Sequence, residues 1–78
     1  MTIEARLKSI VATVMGIPES MISTDLSPDL LEKWNSLRHM NLVTAVEEEF
    51  NIVFEYDEIV QVMEYRILEE IIRRKLES

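Results

Sequence analysis

Two side chains with the potential for nucleophilic chemistry stand three residues apart, Ser36 and His39, and His39 is the single histidine of the chain. A serine beside an imidazole base is the arrangement that hydrolases use for covalent acyl transfer. Such a pair also needs a group that orients the imidazole, and no carboxylate stands at an obvious position for that task. His39 falls on the apolar side of its predicted helix, with Trp34 in reach. We therefore expect a packed or hydrogen-bonded imidazole, and a chain that is not an enzyme.

A second candidate site lies on the opposite side of the same predicted helix. Glu47-Glu48-Glu49 comes near the C-terminal end, where the helix dipole is negative and each acid costs about a few tenths of a kcal/mol or more. Leu37 and Met40 share a side with Asn41, Thr44, Glu47 and Glu48. This side is either a solvated acidic face, with Leu37 or Met40 folded against the preceding loop, or a partner surface. Acids around apolar residues favour transient docking, in which charge steers the encounter and apolar contact holds it.

The composition limits both the size of the protein and its partners. A chain of 78 residues has room for one domain, over residues 1–78, and the absence of Cys leaves stability to side-chain packing. The net charge of −7 disfavours nucleic acid and anionic lipid, and it favours partners with basic surfaces. No apolar run approaches the length of a membrane span, and no calcium-loop or His/Cys pattern indicates a metal site. We expect an acidic, cytoplasmic monomer without membrane insertion.

Helical periodicity predicts a first helix that ends near Met15, followed by a long loop. Ile3, Leu7, Ile10, Val11 and Val14 recur at helical spacing, and Gly16 and Pro18 then stop the helix. Residues 17–35 are rich in turn formers, with a possible short helical turn at Ser27-Pro28-Asp29. The loop also contains many apolar residues, so we expect it to be pinned across the bundle; these residues are Ile17, Met21, Ile22, Leu26, Leu30, Leu31 and Trp34.

Three further helices are predicted after the loop. The second runs from about Ser36 to Phe50, ends at Asn51, and is followed by Ile52-Val53-Phe54 as an extended, buried segment. A short third helix covers Tyr56 to Met63, with acids near its positive end. The last helix, roughly Glu64 to Leu76, buries Ile67, Leu68, Ile71, Ile72 and Leu76. The expected fold is all-α, a four-helix bundle with a long first loop and a short third helix.

The order of these segments resembles a known family. The stretch WNSLRHMNLVTAVEEEFNIVF is similar to the second helix of acyl carrier proteins, where Asp-Ser-Leu opens a helix that ends in a Glu-Glu-Phe-like run. The opening TIEARLKSIVATVMGI, the Asp-rich loop and the closing apolar helix match in order and length, so the resemblance covers essentially the whole chain. It implies a bundle of the acyl-carrier-protein type.

The resemblance implies a covalent cofactor at the start of the second helix. In the family this serine bears 4'-phosphopantetheine, so Ser36 would be the attachment point, with Asn35 and Leu37 beside it. A serine before a helix is most often a simple N-cap. An attached phosphodiester would also be favoured there, because unpaired backbone N–H groups and the positive dipole end face it. The thiol of the arm would form the thioester, and the protein would act as a carrier.

The implied partners are a phosphopantetheinyl transferase and acyl-loading and acyl-processing enzymes with basic docking surfaces, as in fatty acid or polyketide biosynthesis. They would contact Leu37, Arg38, Met40, Asn41, Thr44, Glu47 and Glu48 of the second helix. An apolar cargo could lie between helices, against Val43, Val46, Ile59 and Val62.

The chain departs from the family pattern at three positions. Asn35 stands where Asp is usual, and Arg38 and Asn41 stand where acids are common. Asn can cap a helix but lacks the charge that a transferase or its magnesium ion would meet, so we expect slower attachment. Two alternatives to an acyl carrier stay open: an aminoacyl or peptidyl carrier, and an unmodified helical adaptor for protein interaction.

Overall fold

A computed structural model describes residues 2–23, 25–28, 31–62 and 64–77. The first helix begins and ends where the sequence pattern predicts. Helix α1 spans Ile3–Met15, and the Thr2 hydroxyl caps it by accepting the Ala5 N–H at 3.1 Å. Leu7, Val11 and Met15 are buried on one stripe. Gly16 closes the helix at φ 70°, a conformation that favours glycine.

The long loop is pinned across the bundle, as predicted. Ile17, Ile22, Leu26 and Trp34 are buried in the core, whereas Met21 is exposed. The loop contains a 3₁₀ turn at Glu19–Met21, which the sequence pattern did not predict. The predicted turn at Ser27-Pro28-Asp29 falls partly on Asp29, which, like Leu30, lies outside the described residues. The Leu31 N–H does donate to the Ser27 carbonyl at 2.9 Å.

Helices α2 to α4 complete the bundle over the described part of the chain. Helix α2 spans Ser36–Phe50, α3 spans Tyr56–Gln61 and α4 spans Tyr65–Glu77. Asn51 ends α2 at φ 54°, in the left-handed region that asparagine tolerates. Helix α3 is two residues shorter than predicted, and Met63 lies outside the described residues. The predicted all-α bundle with a short third helix is confirmed.

Two burial predictions were wrong. The segment Ile52-Val53-Phe54 belongs to no helix; Phe54 is buried, Ile52 is partly buried against the core and Val53 is 75% exposed. Side chains of the predicted extended segment would point alternately to opposite sides, so its three consecutive residues could not all face the core. Leu76, in the last turn of α4, is 42% exposed as well, and the buried stripe of this helix consists of Tyr65, Leu68, Ile71 and Ile72.

Candidate functional site

Ser36 is the first residue of α2, and its side chain is exposed. The cap of the helix is Asn35, whose Oδ1 accepts the Arg38 N–H at 2.9 Å. The Asn35 carbonyl accepts the His39 N–H at 2.8 Å and so starts the helical bonding. The Ser36 hydroxyl makes no hydrogen bond within the described residues. Since its neighbour performs the capping, the structure gives Ser36 no capping role.

The start of α2 also suits an anion attached at this hydroxyl. The backbone N–H groups of Ser36 and Leu37 have no hydrogen-bond partner among the described residues, as is usual for the first turn of a helix. These donors and the positive end of the dipole favour a phosphate group. The residues present therefore fit a phosphodiester on Ser36.

A groove of about 550 Å³ opens beside Ser36, between the first half of α2 and helix α3. This volume lies in the range of small-molecule sites. Its walls are mainly apolar and aromatic; they comprise Pro28, Trp34, Asn35, Ser36, His39, Met40, Tyr56, Ile59, Val60 and Val62. Ile59 and Val62 thus lie where an apolar cargo was predicted to lie. Val43 and Val46 are buried in the core and do not line the groove.

The inner wall of the groove is held by a chain of two hydrogen bonds through His39. The Trp34 Nε1–H donates to His39 Nδ1 at 3.0 Å, and the two rings stack with their centroids 6.2 Å apart. Because an indole nitrogen can only donate, Nδ1 must be the acceptor. The proton of the neutral ring is then on Nε2, which lies 3.0 Å from the Ile59 carbonyl and donates to it. Both ring nitrogens are engaged, so the imidazole is not poised to act as a base for Ser36.

The predicted partner face of α2 is mostly exposed. Leu37 is 71% and Met40 48% exposed, and Asn41, Thr44 and Glu48 are exposed beside them. The Thr44 hydroxyl donates to the Met40 carbonyl at 3.0 Å, within the helix. Leu37 and Met40 therefore do not fold back against the loop.

Arg38 was predicted on the partner face, but the structure places it on the side of α2 that meets α1. Its Nη1 donates to the carbonyls of Met15 at 2.8 Å and Val14 at 3.5 Å. Lys33 Nζ donates to the Gly16 carbonyl at 3.2 Å in the same region. Two cations thus satisfy carbonyls at the negative end of α1. Arg38 holds α1 against α2, and its guanidinium is directed away from Leu37 and Met40.

The acidic run at the end of α2 is also only partly available to a partner. Glu47 Oε2 accepts the Phe54 N–H at 2.8 Å, which fixes the connection to α3. Glu49 pairs with Arg6 of α1 at 2.9 Å, and Arg6 also donates to the Glu49 carbonyl at 2.9 Å. These contacts offset the unfavourable position of both acids in the dipole. Glu48 is the acid of the run that is exposed without such a contact among the described residues.

Two residues of the groove rim, Tyr56 and Val60, received no site role from the sequence. They lie on one face of α3, four residues apart, and are 78% and 55% exposed. Two apolar residues one helical turn apart within the acidic α3 segment could have indicated this rim from the sequence alone. Elsewhere, the described residues contain no cluster of His, Cys, Asp or Glu that could hold a metal ion. None of the helices in the described ranges has the length and apolar character to cross a membrane.

Comparison with known families agrees with this geometry. Residues 5–74 match the family model described as the phosphopantetheine attachment site. The matched range includes all of α2 and α3, and with them the groove. The comparison with curated proteins found no match.

Proposed function

Because the chain belongs to the phosphopantetheine attachment site family, we propose that Ser36 bears the 4'-phosphopantetheine arm and that the arm holds an acyl or related carboxylic group. Domains of this family are carriers for covalently attached 4'-phosphopantetheine; they are generally non-catalytic, are modified by phosphopantetheinyl transferases and interact with enzymes.

The single observation that carries the attachment site is the exposed hydroxyl of Ser36, which makes no hydrogen bond within the described residues. It is exposed at the first position of α2, it lines the groove, and Asn35 performs the capping. In the loading step the Ser36 oxygen forms a bond to the phosphorus of coenzyme A that carries the pantetheine. The bond to the nucleotide phosphate breaks, adenosine 3',5'-bisphosphate leaves, and the hydroxyl proton goes to solvent or to the transferase.

Intact mass spectrometry after incubation with coenzyme A and a phosphopantetheinyl transferase tests the attachment. We expect the wild-type mass to increase by one arm, and Ser36→Ala to show no increase. Ser9→Ala is the matched control, because Ser9 is an exposed serine on α1; it should load like the wild type. A wild-type chain that stays bare with a competent transferase would favour the unmodified adaptor, and loading of Ser36→Ala would place the arm elsewhere.

The proposed docking face consists of Leu37, Met40, Asn41, Thr44 and Glu48. Its apolar residues are exposed, and the acidic charge beside them suits a basic partner surface. Arg38 is left out because it engages α1, and Glu47 contributes its charge while one of its oxygens stays bonded to Phe54.

Association kinetics with a transferase or an acyl-loading enzyme test this face. Glu48→Gln should lower the association rate at low salt, and the difference should shrink as salt screens the charges. Glu70→Gln is the control, since Glu70 is an exposed acid on α4. Equal effects of the two variants would mean that net charge alone steers binding, and the assigned face would be wrong.

A further inference from the structure

His39 connects the end of the long loop to α3, and its two ring nitrogens make different hydrogen bonds. Nδ1 accepts the Trp34 Nε1–H at 3.0 Å, and the Nε2–H donates to the Ile59 carbonyl at 3.0 Å. Trp34 is only 3% exposed, so its indole N–H has little access to water and depends on the imidazole as acceptor. We call the hydrogen bond between these two side chains the Trp34–His39 latch.

The latch requires the neutral form of His39. An indole nitrogen can only donate, and an imidazolium has a proton on both of its nitrogens. After protonation the Trp34 N–H and a new Nδ1–H would point at each other across 3.0 Å. Two donors cannot bond to each other, and a buried N–H without a partner is destabilising. The bond to Ile59 needs only the Nε2–H, which both forms of the ring possess, so a proton on His39 opposes the contact with the loop and leaves the contact with α3.

The charged side chains of the surrounding elements are bonded away from the ring. Glu58 of α3 pairs with Lys75 of α4 at 2.7 Å, while Arg38 and Lys33 donate to carbonyls at the end of α1. Among the residues that line the groove with His39, Tyr56 is the other titratable one, and a phenol has no charge near neutral pH. In the described part of the chain no ion pair holds His39, so the pH of the solution sets its charge. The remaining acids of the adjoining loop and α3 segments are exposed; they are Glu32, Glu55 and Asp57.

We propose that the Trp34–His39 latch is a pH-sensitive switch, which releases the end of the long loop from α2 when His39 gains a proton. Imidazole is the side chain whose charge ordinarily changes between about pH 5 and 8. The released form contains one proton more than the latched form, so acidification by one pH unit raises the ratio of released to latched protein about tenfold. Trp34 directly precedes Asn35, the cap of α2, and the switch therefore acts on the segment that leads to Ser36. It needs no arm on Ser36 and is independent of the proposed attachment.

A pH titration of the unmodified protein tests the switch, because the chain has one Trp and one His. Between about pH 8 and 5 we expect the Trp34 fluorescence maximum to move to longer wavelength and the ¹⁵N-labelled indole signal to shift, both with the slope of a single proton. Far-UV circular dichroism should stay constant over this range, since the helices remain. His39→Gln should abolish both changes, because an amide can accept the indole N–H and does not titrate. His39→Asn places a second non-titrating amide at this position and should give the same result.

Tyr56→Phe is the matched control, because it removes the other titratable residue of the groove wall. Its transition should be the same as that of the wild type. A fluorescence maximum and an indole signal that stay constant from about pH 8 to 5 would overturn the proposal. An equal transition in the two amide variants would assign the change to another group, and a loss of helix at the same pH would show unfolding rather than release; either result also refutes the switch. None of these results bears on the attachment at Ser36, which the intact mass tests separately.

Discussion

Replacing Tyr65 with phenylalanine removes one oxygen atom from the interior of the bundle. Tyr65 is 1% exposed, and its hydroxyl has no hydrogen-bond partner among the described residues. A buried polar group without a partner costs about 1–3 kcal/mol. Tyr65→Phe keeps the ring and its packing, so we expect the free energy of unfolding to rise by about 1–2 kcal/mol.

Urea or thermal unfolding followed by circular dichroism measures this change. In a domain of this size each kcal/mol corresponds to about 4–8 °C in Tm. Tyr56→Phe is the matched control, since Tyr56 is 78% exposed and its hydroxyl can reach water; its effect should lie within about 0.5 kcal/mol of zero. If Tyr65→Phe instead destabilises the protein, the hydroxyl has a favourable partner and the reasoning fails.

Alkaline pH gives an independent measure of the same burial. Burial first, and then the charges of Glu69 and Glu4, raise the pKa of Tyr65 well above its ordinary value of 10.0. Above about pH 10 the unfolded chain loses this proton while the folded chain keeps it, so stability falls as the pH rises. Tyr65→Phe should remove that part of the alkaline loss, and an unchanged alkaline limb would contradict the assigned cause.

Three further predictions concern α1, α3 and the cap of α2. Arg38→Met should lower the free energy of unfolding by about 1–2 kcal/mol, because it removes charge-assisted bonds to the end of α1. The control Arg66→Met removes an arginine that is 66% exposed and pairs with Glu64, so it should cost under about 0.5 kcal/mol. Equal losses in the two variants would refute the role of Arg38. The Lys75 ammonium, together with the backbone N–H of Glu55, lowers the pKa of Glu58 below its ordinary value of 4.5. The ion pair therefore stabilises the fold above about pH 4.5, and this contribution is lost as the pH falls through the lowered pKa. Lys75→Met should flatten the acid limb of stability against pH, and a limb identical to that of the wild type would show that the pair contributes nothing. Asn35→Asp keeps the cap acceptor and adds a charge, so stability should hold while arm attachment becomes faster; an unchanged rate would mean that the charge of this residue is irrelevant to the transferase.

The elements set by local chemistry could be predicted from the sequence. The bounds of α1 and α2 depend on apolar periodicity and on Gly16 and Asn51, both of which adopt the left-handed conformation. Local rules also predict that Val53 is exposed, because an extended segment places alternate side chains on opposite sides. The prediction that all three residues of Ile52-Val53-Phe54 are buried was therefore inconsistent with the extended conformation predicted for them.

The roles of charged residues could not be predicted, because their partners are distant in sequence. Arg38 bonds to carbonyls 23 and 24 residues earlier, and Arg6 pairs with Glu49, 43 residues later. Periodicity places such a residue on a side of its helix but does not say which element lies opposite. The acids of α2 therefore look like a uniform partner surface in the sequence, while the structure uses Glu47 and Glu49 internally.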